Sequence, residues 1–86
     1  MAYRIYLVDD DRFLLDLYAV KFRNAGHDVS VFGGGEELLA ELKKKDAKAP
    51  DAILLDLIMP GLGGFETLET IRKDNLAQGT KIIILS

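Results

Sequence analysis

The chain has 86 residues, of which 49% are hydrophobic and 29% charged, with a net charge of −3 and no cysteine. A chain of this length makes one small domain that buries about 60–65% of its unfolded surface, and its hydrophobic content separates it from sequences that stay disordered. Disulfide staples and thiolate metal sites are excluded, a basic run confined to Lys43–Lys45 argues against direct nucleic-acid binding, and no stretch reaches the ~18 apolar residues of a membrane span.

Arg4 interrupts the N-terminal apolar stretch and acids follow from residue 9, so no signal peptide fits and a cytoplasmic protein is expected. The first strand is predicted over Tyr3 to Val8. Phe13, Leu14, Leu17, Tyr18 and Phe22 then recur at three- and four-residue intervals, predicting a first helix capped by Asp10 or Asp11, ended at Gly26 and packed through that stripe. His27 reads as a surface residue at the start of a second strand, Asp28 to Val31, and Gly33–Gly35 as a flexible loop. Leu38, Leu39 and Leu42 mark the face of a second helix, with Glu41 and Lys45 as an i,i+4 pair and "KAP" (48–50) as its break. A third strand is expected over Ala52 to Leu55, a third helix facing inward through Phe65, Leu68 and Ile71, and a fourth strand over Lys81 to Leu85. "AILLD" and "KIIILS" are almost continuously apolar, as in a parallel sheet covered on both faces by helices. The fold class is therefore α/β, with a doubly wound parallel sheet joined by right-handed crossovers.

In such sheets ligands bind beyond the carboxyl ends of the strands, where the winding direction switches. Asp9 and Asp10 close the first strand, Asp56 the third and Ser86 the fourth, so all four are expected on one rim. Adjacent carboxylates repel by roughly 4 kcal/mol per pair at 4 Å for an effective dielectric near 20. A hard divalent cation offsets that cost, and Mg²⁺ suits a site of few carboxylates that keeps room for waters and a phosphate. Taken singly, the acids read as a capping turn and a strand-end cap; the Pro60, Gly61, Gly63 and Gly64 spacing after Asp56 lifts the reading above that.

Together "LVDDD" (7–11), "DLIMPGLGGFE" (56–66) and "IILS" (83–86) resemble the receiver domain of two-component response regulators over nearly the whole chain. The resemblance implies the flavodoxin-like receiver fold and a signalling domain rather than an enzyme. It implies that Asp56 accepts a phosphoryl group from a phosphohistidine of a sensor histidine kinase or phosphotransfer protein. It further implies that Asp9, Asp10, Asp56 and the backbone carbonyl of Ile58 hold Mg²⁺, and that the Ser86 hydroxyl hydrogen-bonds the phosphoryl group. The family's final helix, strand and helix, with a lysine ending the fifth strand, have no counterpart within residues 1–86, so a C-terminally truncated receiver with impaired phosphorylation is expected. Apolar surface left uncovered on the first helix and fourth strand predicts a homodimer.

Two alternatives compete. A shortened or degenerate receiver could act as a dimerisation or interaction module without phosphotransfer. A haloacid-dehalogenase-like phosphatase would use Asp9 and Asp11 as its acid pair with Ser86, but it wants Thr or Val where this chain has Phe13 and gives no role to "DLIMPG".

Overall fold

A computed structural model describes residues 2–44, 48–56 and 63–85. Four strands, β1 (Arg4–Val8), β2 (Asp28–Phe32), β3 (Ala52–Asp56) and β4 (Lys81–Leu85), alternate with α1 (Arg12–Asn24), α2 (Gly35–Leu42) and α3 (Gly64–Lys73). The strands form one parallel sheet in the order β2-β1-β3-β4. The chain thus steps one way from β1 to β2 and the other way from β2 to β3 and β4. Crossovers of one hand must then put α1 on one face and α2 and α3 on the other, and the core divides in that way.

Strand side chains alternate between the two layers. Ile5, Leu7 and Val29 pack with Leu15 and Ala19 of α1. Tyr6, Val8, Phe32, Ile53 and Leu55 pack with Leu38, Leu39 and Leu42 of α2 and Ile71 of α3. Burying an aliphatic side chain of this size contributes about 1.5–3 kcal/mol, so these two layers supply most of the cohesion of a cysteine-free domain. Within the second layer the Tyr6 and Phe32 rings meet at 4.9 Å.

The face of α1 differs from the sequence-based expectation. Leu15 and Ala19 are its buried residues, whereas Phe13 is 74% and Leu17 41% exposed and Tyr18 is exposed as well. The helix carries apolar residues on two sides, and the sheet takes the side whose small Ala19 allows close approach. In α3 the predicted stripe is likewise rotated: Thr67 and Ile71 are buried and Leu68 partly so, but Phe65 is 68% exposed. Thr67 tolerates burial because its hydroxyl donates to the Gly63 carbonyl at 2.8 Å. The prediction for α2 holds, with all three leucines buried.

Further differences are local. Gly33 and Gly34 bend between β2 and α2, Gly34 as the cap of the helix, and Gly35 is its first residue. Glu41 pairs with Lys44 at 2.9 Å; Lys45 lies outside the described residues. His27 is half-buried, its Nδ1 accepting from the Tyr3 amide at 3.1 Å and its ring lying 5.4 Å from that of Tyr3. Gly26 ends α1 at φ 95°, a conformation glycine adopts at little cost.

The amino ends of the strands are bound together. The Asp51 carboxylate accepts from the Arg4 amide at 2.7 Å, Arg4 pairs with Asp28 at 3.6 Å, and the Thr80 hydroxyl donates to the Pro50 carbonyl at 2.7 Å. That rim is spent on holding the sheet, and the carboxyl rim is left for other groups. No helix among the described residues is long and apolar enough to cross a membrane.

Because Leu15 is 1% exposed and Leu17 is 41% exposed, Leu15→Ala is expected to cost about 2–5 kcal/mol of unfolding free energy and Leu17→Ala less than about 1 kcal/mol. Urea titration of the two variants checks this, and equal losses would contradict the orientation of α1.

Candidate functional site

Register sets the geometry of the carboxyl rim. Val8 is paired with both Phe32 and Leu55, and Asp56 with Leu85. Asp9, one residue past Val8, is therefore level with Asp56, and its amide extends the ladder by donating to the Phe32 carbonyl at 3.2 Å. Parallel pairing thus places the acids ending β1 and β3 side by side. Carboxylate oxygens of Asp9, Asp10 and Asp56 all lie within 4.8 Å of one another. Asp9 is buried, at 8% exposure, Asp56 is half-buried and Asp10 is exposed.

Asp11, the third acid of the run, points elsewhere. Its Oδ1 accepts from the Leu14 amide at 3.2 Å, which makes it the N-cap of α1. Its own amide donates to Asp9 Oδ1 at 2.9 Å. An acid pair made of Asp9 and Asp11, as the phosphatase alternative requires, is thus not what this rim presents. The role of Asp11 as a cap was readable from its place before the helix; its amide contact with Asp9 carried no signal in the residue pattern.

The electrostatics follow from crowding. Burial raises the pKa of Asp9 from the model-compound value of 3.8, and the neighbouring Asp56 charge and hydrogen bonding with Asp10 and Asp56 raise it further, while the Asp11 amide lowers it. The trio suits a hard cation: opposite ligands of Mg²⁺ stand about 4 Å apart, given Mg–O distances near 2.0–2.1 Å, and one oxygen from each carboxylate lies within 4.8 Å of the others. On the other side of the site, the Gly63 amide donates to Glu66 Oε2 at 2.6 Å and fixes the start of α3. Of the remaining residues named from the sequence, Ile58 and Ser86 lie outside the described residues, as do Pro60 and Gly61.

The family model described as the response regulator receiver domain matches residues 5–86. The DNA-binding response regulator MtrA of Mycobacterium tuberculosis (strain ATCC 25618 / H37Rv) is 34% identical over 86 residues, covering 100% of this chain and 35% of that protein. The alkaline phosphatase synthesis transcriptional regulatory protein PhoP of Bacillus subtilis (strain 168) is 34% identical over 76 residues, 88% of this chain and 30% of that protein. The chain thus spans about a third of the length of these curated relatives, 35% and 30%. Among solved structures, the N-terminal domain of a response regulator receiver protein from Methanoculleus marisnigri JR1 superposes with a TM-score of 0.87 at 32% identity, over 98% of this chain and 66% of that one. The response regulator TrrA from Thermotoga maritima, solved in complex with Mg²⁺-BeF, gives a TM-score of 0.77 at 33% identity, over 94% of this chain and 66% of that one.

The raised pKa of Asp9 fixes the sign of a pH effect. A carboxyl that binds its proton more tightly when folded favours the fold fully below the ordinary value of 3.8, and that contribution is lost as pH rises through the raised value. In cation-free buffer at neutral pH, Asp9→Asn is expected to raise the unfolding free energy by about 1–3 kcal/mol, the scale of like-charge repulsion near 5 Å at an effective dielectric of about 20. The difference from wild type should shrink towards zero below about pH 4. Urea unfolding of both proteins across pH checks it, and an Asn variant less stable at pH 7 would refute it.

Proposed function

The chain belongs to the response regulator receiver domain family, and from that premise we propose that Asp56 accepts a phosphoryl group from a phosphohistidine, with Asp9 and Asp10 holding Mg²⁺ beside it. The observation that carries this reading is the gathering of Asp9, Asp10 and Asp56 within 4.8 Å at the carboxyl rim. In the transfer, an oxygen of Asp56 attacks phosphorus in line, the P–N bond breaks, and the imidazole leaves with the electron pair. Phosphoryl transfer asks the protein for positioning and charge stabilisation more than for covalent chemistry. The bound cation would supply positive charge against the phosphoryl oxygens, as the acids alone do not. Asp56 is suited to attack because it ends a central strand whose pairing fixes its position. Asp10, exposed, stays in contact with water that completes a coordination shell.

The resemblance extends the proposal to Ile58, whose carbonyl would join the ligand set, and to Ser86, whose hydroxyl would bond the phosphoryl group. The partner is a sensor histidine kinase or phosphotransfer protein, and the setting is the cytoplasm. Lys81 opens β4, at the rim opposite the acids. The 86-residue polypeptide should be labelled on Asp56 when a phosphodonor and Mg²⁺ are supplied. Self-association of that polypeptide through the exposed Phe13, Ile83 and Ile84 is part of the same proposal, and a sedimentation mass of one chain would eliminate it.

Incubation with radiolabelled acetyl phosphate and Mg²⁺ is expected to label wild type on Asp56 and to leave Asp56→Asn unlabelled. Label of equal extent on Asp56→Asn would overturn the assignment of the phosphoacceptor. Ile58 has no polar side chain to orient a hydrolytic water, so the acyl phosphate should also be long-lived; its rapid loss in Mg²⁺ would contradict that.

A further inference from the structure

Asp11 belongs to the acidic run by sequence but not to the carboxylate cluster by geometry, and it makes three hydrogen bonds, two accepted and one donated. Its Oδ1 accepts from the Leu14 amide at 3.2 Å, and its carbonyl accepts from the Leu15 amide at 3.0 Å, so both side chain and backbone are committed to the first turn of α1. Its amide, facing the other way, donates to Asp9 Oδ1 at 2.9 Å. The cap holds Asp11 in extended conformation at φ −84° and ψ 101°, and that conformation directs the amide at Asp9.

We propose that Asp11 is a positioning residue for the cation site, its side-chain cap on α1 orienting the backbone amide that holds the Asp9 carboxylate toward Asp10 and Asp56. This rests on the proposed cation-binding role of the cluster. Asp9 is the buried member of the trio, at 8% exposure, and the amide hydrogen bond fixes its Oδ1. Releasing the cap frees residue 11 to leave the extended region, and the Asp9 carboxylate then loses the amide hydrogen bond that fixes its Oδ1. Outer partners of metal ligands act in this way, and their loss typically lowers metal affinity about 10–100-fold. A direct electrostatic role would behave differently. There the negative charge of Asp11 itself would draw the cation, and any neutral residue would weaken binding equally.

The test uses Mn²⁺ as the probe, its affinity read from water proton relaxation on the 86-residue chain, with thermal unfolding in metal-free buffer recorded beside it. Asp11→Ala is expected to bind Mn²⁺ about 10-fold more weakly, and Asp11→Asn and Asp11→Ser, which still cap, to stay within about 2-fold of wild type. Asp51→Ala, which removes the acceptor of the Arg4 amide at the opposite rim, is the control for lost stability and should lower the unfolding temperature without changing affinity. Asn and Ser variants as weak as Ala would show a charge effect and overturn the inference. So would an Ala variant with unchanged affinity, which would leave Asp11 a structural cap only. Wild type that binds no Mn²⁺ would overturn both this inference and the cation site it rests on, whereas the other two outcomes leave the site standing.

Discussion

Parallel pairing of β1 with β3 is the constraint on which the rest of this molecule depends. With Val8 opposite Leu55, the residues that follow are carried to the same height, and both are aspartates. Two acids side by side at the end of a buried ladder would weaken a sheet that had no other use for them. The structure accommodates them by different means: Asp9 accepts an amide hydrogen bond, Asp10 stays in water, and the third acid of the run turns away to the positive end of a helix. Burial first, and then the neighbouring Asp56 charge, raise the pKa of Asp9. A fold that tolerates such a cluster at its rim, and matches the receiver family along residues 5–86, gives the acids a chemical purpose that stability alone does not.

The order of elements was legible because the strands are short apolar runs and the helices periodic, and each strand was placed within a residue or so of where it lies. The convergence of Asp9, Asp10 and Asp56 was legible for a related reason. Once the strands are parallel, residues just past their ends share a rim whatever the side-chain packing. Helix orientation was not legible to the same degree. In α1, Phe13, Leu17 and Val20 make an apolar stripe as regular as the one formed by Leu15, Ala19 and Phe22, and periodicity alone cannot tell which faces the sheet. Size decides, since the residue nearest the strands must be small. Phe65 misled in the same way, because an aromatic at the start of a helix reads as core when the backbone turns it outward.

Hydrogen bonds made by backbone groups were also out of reach. The Asp11 amide and the Gly63 amide are each held by a carboxylate, at 2.9 and 2.6 Å, yet every residue owns an amide and nothing in the pattern singles out these two. Their value is positional. One ties β1 to the start of α1 through Asp9, the other secures the start of α3, and both helices begin on the rim that bears the acids. Cohesion at the amino rim, by contrast, rests on Arg4, Asp28, Asp51 and Thr80. The two ends of the sheet therefore have separate tasks.

Exposure grades across the three acids, from Asp9 through the half-buried Asp56 to the open Asp10. That gradient leaves Asp10 the carboxylate most open to solvent. On the proposed reading, a cation would reach the cluster from the side of Asp10, the carboxylate open to solvent, with no strand of the sheet having to part.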